Sequence, residues 1–293
     1  MMFKNYTCKN LLSKSLRKIV DRKIGLIKYL TVESENSISH GSIATYGSVV
    51  QVTQSAPQPS ILIVCEHASN HVPPHLDSLG LPPEVLETHV AWDPGARGVA
   101  EAMQSRLPAV LVQSQVSRLV YDCNRPPEAP SAIPAKSEIY GIPANANLTT
   151  AARQERVEHV YKPFEQAIRT EIKKRRAKLY LMITIHSFTP IYHGRPRDVE
   201  LGILHGNDTR FAHAMMAHIP SPQVYDIRLN EPYSAQDGVA HTLNLHASAN
   251  GLMNVMIEIR NDLIQTPDAQ VAMAIYLTQW TERTLHSLSQ VAS

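Results

Sequence analysis

The sequence is poor in cysteine. Only three cysteines, Cys8, Cys65 and Cys123, occur in 293 residues, and no two of them form a C-x-x-C pair. A set that is odd in number and this sparse excludes a disulfide framework. It favours a reducing compartment, and we therefore expect a cytoplasmic protein.

Strong net charge and long apolar runs are also missing. The 28 basic and 26 acidic side chains leave a formal charge of +2, which gives no electrostatic reason to expect nucleic acid or a membrane as a partner. No segment approaches the roughly 20 consecutive apolar residues that a membrane-spanning helix needs. The G-x-S-x-G, H-E-x-x-H and phosphate-binding glycine motifs are absent. Cys65 lies within an apolar run, where a thiol is usually inert, which argues against a cysteine nucleophile.

The first 58 residues differ in composition from the rest. The first 31 residues carry eight Lys or Arg and one acid, and a run rich in Ser, Gly, Thr and Gln follows and ends in prolines. We predict a poorly ordered extension and linker over residues 1–58 and one domain over residues 59–293. A basic, acid-poor start is also typical of organellar targeting segments, although those are usually rich in arginine.

Short apolar runs alternate with helical patterns from residue 61 onward. The runs predict strands at 61–65, 109–112, 118–121, 179–185, 199–204 and 251–259. The helical patterns cover 151–176, 207–218 and 268–288, with Thr150 as a cap and with a bend or division at Pro163. Strands that alternate with helices indicate an α/β fold with helices on the faces of one sheet.

Polar side chains stand where three of the predicted strands end. The first strand runs into Glu66-His67, the second into His186-Ser187 and the third into Glu258-Ile259-Arg260. Ligands of α/β proteins bind beyond the carboxyl ends of the strands. Three such endings together are hard to explain by packing, and they predict a functional site at this edge.

The residue types indicate a hydrolytic metal centre. Neutral imidazoles suit Zn²⁺, and a catalytic zinc keeps three protein ligands and one open position. His67 and His186 are the expected imidazole ligands. The third ligand is left open between Asp93, Asn70 and Glu66, with a carboxylate preferred because asparagine is a poor zinc ligand.

Glu258 is the candidate for the proton-transferring group, because a carboxylate off the metal can move a proton from water to a leaving nitrogen. Arg118, Arg125 and Arg260 lie at strand or loop junctions. As arginines they are candidates for binding the carboxylates of a small acidic substrate.

These residues carry a resemblance to a known family. From about residue 60 to the end, the chain resembles the N-formylglutamate amidohydrolase family. The matching stretches are Cys65-Glu66-His67-Ala68-Ser69-Asn70, Ala91-Trp92-Asp93, Ser117-Arg118-Leu119-Val120-Tyr121-Asp122-Cys123-Asn124-Arg125-Pro126, Ile185-His186-Ser187-Phe188-Thr189-Pro190, Asn230-Glu231-Pro232-Tyr233 and Ile257-Glu258-Ile259-Arg260-Asn261-Asp262-Leu263.

The resemblance implies a single-domain mixed sheet flanked by helices, as in the zinc carboxypeptidases. It implies hydrolysis of N-formyl-L-glutamate to formate and glutamate, a late step of histidine degradation. His67 and His186 would hold the metal, with Asp93 the first candidate for the third ligand, and Glu258 would be the general base.

The resemblance also implies further site residues and some departures. Asn124 and Arg125 would bind a substrate carboxylate, with Ser187 beside them, and His246 would be a second catalytic residue. Asn70 stands where zinc peptidases of this kind have the glutamate of a His-x-x-Glu motif, and Glu66 stands where this branch is expected to have Asp. The first motif also differs from the Pro-His-Ser-Gly of members tied to histidine breakdown, so another N-acyl amino acid is an alternative substrate.

Two other functions stay open at this point. One is a related metallo-hydrolase that cleaves peptides or cell-wall fragments. The other is a module that binds carboxylate ligands without a metal or catalysis, although the intact set of His67, His186 and Glu258 argues against it. The sequence does not indicate the oligomeric state.

Overall fold

A seven-stranded sheet forms the centre of the fold. The structure is a computed structural model and describes residues 46–291. Its strands are β1 (Val50–Gln54), β2 (Ile61–Cys65), β3 (Ala109–Ser114), β4 (Lys136–Ser137), β5 (Tyr140–Gly141), β6 (Leu181–Phe188), β7 (Ile191–Tyr192), β8 (Arg195–Pro196), β9 (Leu201–Leu204), β10 (Ile227–Leu229) and β11 (Met253–Arg260). Two pairs of short strands, β4 with β5 and β7 with β8, form hairpins outside the sheet.

The sheet is mixed, as predicted. Its order is β1-β3-β2-β6-β11-β9-β10. The four adjacent strands β3, β2, β6 and β11 run parallel to one another, whereas β1 runs antiparallel to β3 and β9 runs antiparallel to β11. The carboxyl ends of β2, β6 and β11 therefore lie side by side at one edge of the sheet, which is the edge where the sequence predicts a site.

Alternate residues of these strands face two different cores, because successive side chains of a strand point to opposite sides of the sheet. On one side Ile183 and Ile257 are fully buried in a core that includes Trp280. On the other side Met182 and Met256 belong to a second buried core.

Helices cover both faces. They are α1 (Pro83–Leu86), α2 (Ala96–Gln104), α3 (Pro143–Ala146), α4 (Thr150–Arg156), α5 (Lys162–Lys174), α6 (Arg210–Ala217) and α7 (Pro267–Val291). Helices α2, α6 and α7 pack on the side of Trp280, and α5 packs on the opposite side through Phe164 and Ile168. Among the residues that the structure describes, no helix is both long and apolar enough to span a bilayer.

Most predicted elements are present, but the strand predicted at 118–121 is wrong. This segment forms a turn, in which the backbone N–H groups of Val120 and Tyr121 both donate to the carbonyl of Ser117. The long helix predicted at 151–176 is divided by a π-helical turn, Val157–Tyr161, directly before Pro163. A wide turn at this place fits proline, which cannot donate an intrahelical hydrogen bond. The capping side chain is that of Thr149, which accepts from the backbone of Ala152, rather than that of Thr150.

The predicted boundary between linker and domain also needs correction. Strand β1 lies within the segment predicted as linker, yet it pairs with β3 from Val50 to Gln54. Val50 and Val52 pack partly buried against the core, while the residues between them are polar. This alternation is typical of a half-buried edge strand. The polar composition of the surrounding residues led to the prediction of a linker instead. Residues 1–45 of the predicted extension lie outside the described residues.

Candidate active site

Three polar residues share one face at the carboxyl ends of the central strands. His186 and Glu258 are direct neighbours in the register of β6 and β11. They belong to the face of Met182 and Met256, because each lies an even number of residues further along its strand. Glu66 follows β2 directly, in phase with Val64 on the same face. All three are buried, with exposures of 5% or less.

Asp93 reaches the same place from the loop before α2. Its backbone N–H donates to the carbonyl of His67 at 3.0 Å, which ties the loop to the end of β2. The N–H of Ser187 donates to Asp93 Oδ2 at 3.2 Å, and the Ser187 hydroxyl donates to the carbonyl of Pro94 at 2.8 Å. Gly95 then turns the chain with a φ of 82°, where a Cβ would meet the carbonyl oxygen of Ile264 at 2.5 Å.

Three potential ligand atoms converge at this point. Asp93 Oδ2 lies 2.9 Å from His186 Nδ1 and 3.3 Å from His67 Nδ1. The two Nδ1 atoms are 3.2 Å apart. Ligand atoms on a tetrahedral zinc are about 3.3 Å apart, given bonds of about 2.0–2.1 Å. The spacing therefore fits one face of a zinc coordination sphere, and within the described residues these three form the group able to hold a metal.

The other nitrogen of each histidine faces a second carboxylate. His67 Nε2 donates to Asp122 Oδ1 at 2.7 Å. His186 Nε2 lies 3.1 Å from Glu66 Oε2, close but not aligned as a hydrogen bond. A carboxylate behind a ligating histidine is the usual arrangement of metal sites, because it fixes the orientation of the ring.

Arg118 closes a ring of charges around His67. Its guanidinium lies 3.3 Å from Asp93 Oδ1 and 2.9 Å from Asp122 Oδ2. Both carboxylates also contact the imidazole of His67. Arg118 thus holds the two aspartates in place relative to the histidine.

The pKa values show a site with surplus negative charge. Burial alone would lower the pKa of His186, but Glu66, Asp93 and Glu258 raise it well above its ordinary value. Burial and Arg118 act against protonation of His67, yet Asp122 and Asp93 raise its pKa. The pKa of Asp93 is lowered despite burial, because the two histidines and Arg118 favour its charged form. A site that attracts protons so strongly is also one that suits a divalent cation.

Glu258 is, like Glu66, a buried carboxylate of the group that lacks hydrogen-bond partners. Its Oε2 atom is buried and has no hydrogen-bond partner among the described residues. Burial has the largest effect on Glu258 and raises the pKa of its carboxyl group. His186 acts in the opposite direction and Asp93 adds to the rise, and the resulting pKa is about 7. A carboxyl group with this pKa can both accept and release a proton near neutral pH.

The comparisons with known proteins agree with this geometry. The family model of N-formylglutamate amidohydrolase matches residues 60–265. The chain belongs to this family. It is therefore a hydrolase that acts on an amide bond, and the matched segment contains every residue of the cluster just described.

Two solved structures are similar to this family member. A gene product of Agrobacterium tumefaciens is 49% identical, with 83% of this chain and 97% of that chain covered and a TM-score of 0.80. The N-formylglutamate amidohydrolase of Ralstonia eutropha is 17% identical over 83% of this chain and 98% of that chain, with a TM-score of 0.63, and shares the fold. Among curated proteins, none shows significant similarity.

Several residues predicted for substrate binding are engaged elsewhere in this family member. Arg260 pairs with Glu200 at 3.2 Å and with Asp262 at 2.8 Å. Ser187 uses its hydroxyl to hold the loop of Asp93, as described above. Neither side chain forms a hydrogen bond with His67 or His186 among the described residues.

The predicted pair Asn124 and Arg125 joins two loops. The Asn124 amide donates to the carbonyl of Val239 at 2.6 Å and accepts from the backbone of Thr242 at 3.0 Å. Arg125 donates to the carbonyl of Gly238 at 2.6 Å. The amide group of Asn124 is thus occupied at both ends, whereas Arg125 has no carboxylate partner among the described residues.

Two further predicted residues lie outside the cluster. The Asn70 amide donates to the carbonyl of Leu86 at 3.1 Å and forms no hydrogen bond with His67 or His186 among the described residues. His246 lines a separate cavity together with Arg169 and Lys173 of helix α5. The structure therefore brings together His67, Asp93, His186 and Glu258 but not these two.

Asp122 is a residue of the cluster that the sequence reasoning missed, and Arg197 is one to which it assigned no role. Asp122 stands within one of the matching stretches, two residues before Asn124, and a search for carboxylates beside ligating histidines would have drawn attention to it. Arg197 lies in a loop rich in Arg and Pro and carries no motif. The sequence does not show that aromatic rings surround its guanidinium.

Proposed function

We propose that this family member hydrolyses the amide bond of N-formyl-L-glutamate or of a similar N-acyl acidic amino acid, with the help of a divalent metal such as Zn²⁺. The proposed ligands are His67 Nδ1, His186 Nδ1 and Asp93 Oδ2. The observation that carries the proposal is the mutual spacing of 2.9–3.3 Å between these three buried atoms, next to an unpaired glutamate. The cytoplasm and histidine degradation are the proposed setting.

A cation held there would supply Lewis-acid chemistry at the acyl carbonyl and at the attacking water. The chain's own residues supply the proton transfers. Glu258, with a pKa near 7, accepts a proton from water as it attacks and then gives it to the leaving nitrogen. Burial of Glu258 keeps bulk water from taking over this exchange.

The surrounding residues orient these groups. Asp122 and Glu66 stand behind the Nε2 atoms of the two histidines and so keep both Nδ1 atoms turned inward. Arg118 holds Asp93 and Asp122 in place beside His67.

The proposal is tested by metal analysis of the purified protein together with formate release from N-formyl-L-glutamate. We expect about one metal per chain and loss of both metal and activity in His67→Ala and His186→Ala. His71→Ala, which removes an exposed histidine of the same segment, is the matched control and should change neither. Full activity of a metal-free protein would contradict the proposed metal dependence. The absence of formate release would contradict N-formyl-L-glutamate as the substrate.

A further inference from the structure

The arginines around the site differ in how they are engaged. Arg118 and Arg260 are paired with carboxylates, and Arg125 donates to backbone carbonyls. Arg197 is different, because no carboxylate of the described residues lies within salt-bridge distance of its guanidinium. Its side chain donates one hydrogen bond, from Nη1 to the hydroxyl of Tyr233 at 2.9 Å.

Aromatic rings hold the guanidinium of Arg197 in place. Its central carbon lies 4.4 Å from the ring centre of Tyr192, 4.8 Å from that of Tyr233 and 5.6 Å from that of Phe188. Such contacts favour the cation and fix the plane of the group. An arginine has five N–H donors arranged as a fork, and the rings leave its edge available. The group is thus rigid, charged and short of acceptors.

The position of Arg197 links it to the catalytic cluster. Phe188 lies two residues beyond His186 on the same strand face, a distance of about 6.6 Å along the strand. Tyr233, which accepts the hydrogen bond of Arg197, also senses the catalytic cluster: burial and then the negative charge of Glu258 raise the pKa of Tyr233 to about 12. Through Phe188, Arg197 contacts the same strand face that carries His186.

We infer that Arg197 binds a carboxylate of the substrate and that this contact selects acidic N-acyl amino acids. The inference rests on the proposed function, since it assigns the substrate contact of the same site. A carboxylate is the group that fits, because its two oxygens match the planar fork of the guanidinium. The charge that the described residues leave unpaired at Arg197 is neutralised when the acidic substrate binds.

The test compares Arg197→Gln with the wild-type enzyme on N-formyl-L-glutamate. We expect KM to rise by about 10- to 100-fold, as for the loss of a charged hydrogen-bonded pair, with kcat changed much less. Arg197→Lys keeps the charge but not the fork and should recover only part of the loss. Arg195→Gln removes an exposed arginine from the same hairpin and is the matched control, with KM unchanged.

Two further substrates identify the carboxylate. N-formyl-L-glutamine lacks the side-chain carboxylate, and N-formyl-L-isoglutamine lacks the α-carboxylate. The substrate whose KM no longer differs between the wild type and Arg197→Gln is the one that lacks the group bound by Arg197. An unchanged KM for N-formyl-L-glutamate in Arg197→Gln would overturn the inference.

A binding measurement separates this inference from the proposed function. Calorimetric titration with glutarate, a dicarboxylate without an amide, does not depend on turnover. Weaker glutarate binding in Arg197→Gln but not in Arg195→Gln supports the inference even if the wild type releases no formate. Equal binding by all three proteins, or no binding by the wild type, overturns it whether or not formate is released.

Discussion

The two faces of the central sheet are built from the same strands and serve different purposes. On the face of Trp280, the central residues of β6 and β11 are apolar and fully buried, as Ile183 and Ile257 are. On the opposite face the same strands carry the apolar Met182 and Met256 and, nearer their carboxyl ends, the charged or titratable His186 and Glu258. Successive residues of a strand point to opposite sides of the sheet, so a residue and its neighbour in the chain belong to different faces.

The difference shows where this fold tolerates the cost of burying charge. An isolated buried carboxylate is costly unless it is paired or changes its protonation state. Glu66, Asp93 and Asp122 meet positive partners, whereas Glu258 responds with a raised pKa. This concentration of charge is confined to one end of one face, and the apolar face behind it supplies the stability that the polar end does not.

The largest effect is expected from a substitution that touches the functional face alone. Glu258→Gln keeps the size of the side chain but removes its ability to carry a proton, and we expect kcat to fall by about 100- to 10,000-fold. Thermal unfolding should show that the variant is at least as stable as the wild type, since the buried Oε2 atom has no partner to lose. Glu101→Gln on α2, on the other side of the sheet, is the control. A kcat near that of the wild type would remove Glu258 from the proposed mechanism.

The converse change belongs to the apolar face. Trp280 is fully buried, and its indole N–H donates to the carbonyl of Met215 at 2.9 Å. Trp280→Ala should lower the free energy of unfolding by about 3–5 kcal/mol through the lost burial and the cavity that remains. Denaturant titration measures this loss, and kcat per folded molecule should stay close to the wild type. Loss of activity in fully folded protein would show that the two faces are coupled rather than separate.

How far the sequence predicted this division depends on the range of the interactions. The apolar runs of β2, β6 and β11 and the polar residues that end them were predictable, because strand period and strand ends are local properties. The sequence alone does not decide the third ligand among its three candidates. The approach of Asp93 to the histidines depends on a loop that is held by Ser187. The contact of Arg197 with Tyr233 joins segments 36 residues apart in the chain, and no local pattern indicates it.

The segment 118–121 illustrates the opposite error. Its apolar residues predicted a strand, but Ser117 accepts hydrogen bonds from the backbone and turns the chain. The turn brings both Arg118 and Asp122 to His67, four residues apart. In a strand, Arg118 and Asp122 would lie on the same face but farther apart. The segment whose structure was wrongly predicted is therefore the one that completes the ring of charges around His67.

His246 provides the finest test of the comparison, because it is a buried titratable residue that lies outside the catalytic cluster. Burial, with smaller effects from Glu165, Arg169, His241 and Glu66, lowers its pKa to about 4. The unfolded chain, with a histidine pKa near 6.5, therefore binds more protons than the folded chain between about pH 4 and 6.5. Stability must fall as the pH drops through this window, by about 3 kcal/mol in total from this residue. His246→Gln cannot titrate and should lose that part of the pH dependence, measured as denaturation midpoints between pH 4 and 7. His71→Gln controls for the loss of an exposed histidine. An unchanged slope in His246→Gln would show that another group causes this pH dependence. A fall in kcat at neutral pH as large as that of Glu258→Gln would instead place His246 among the catalytic residues.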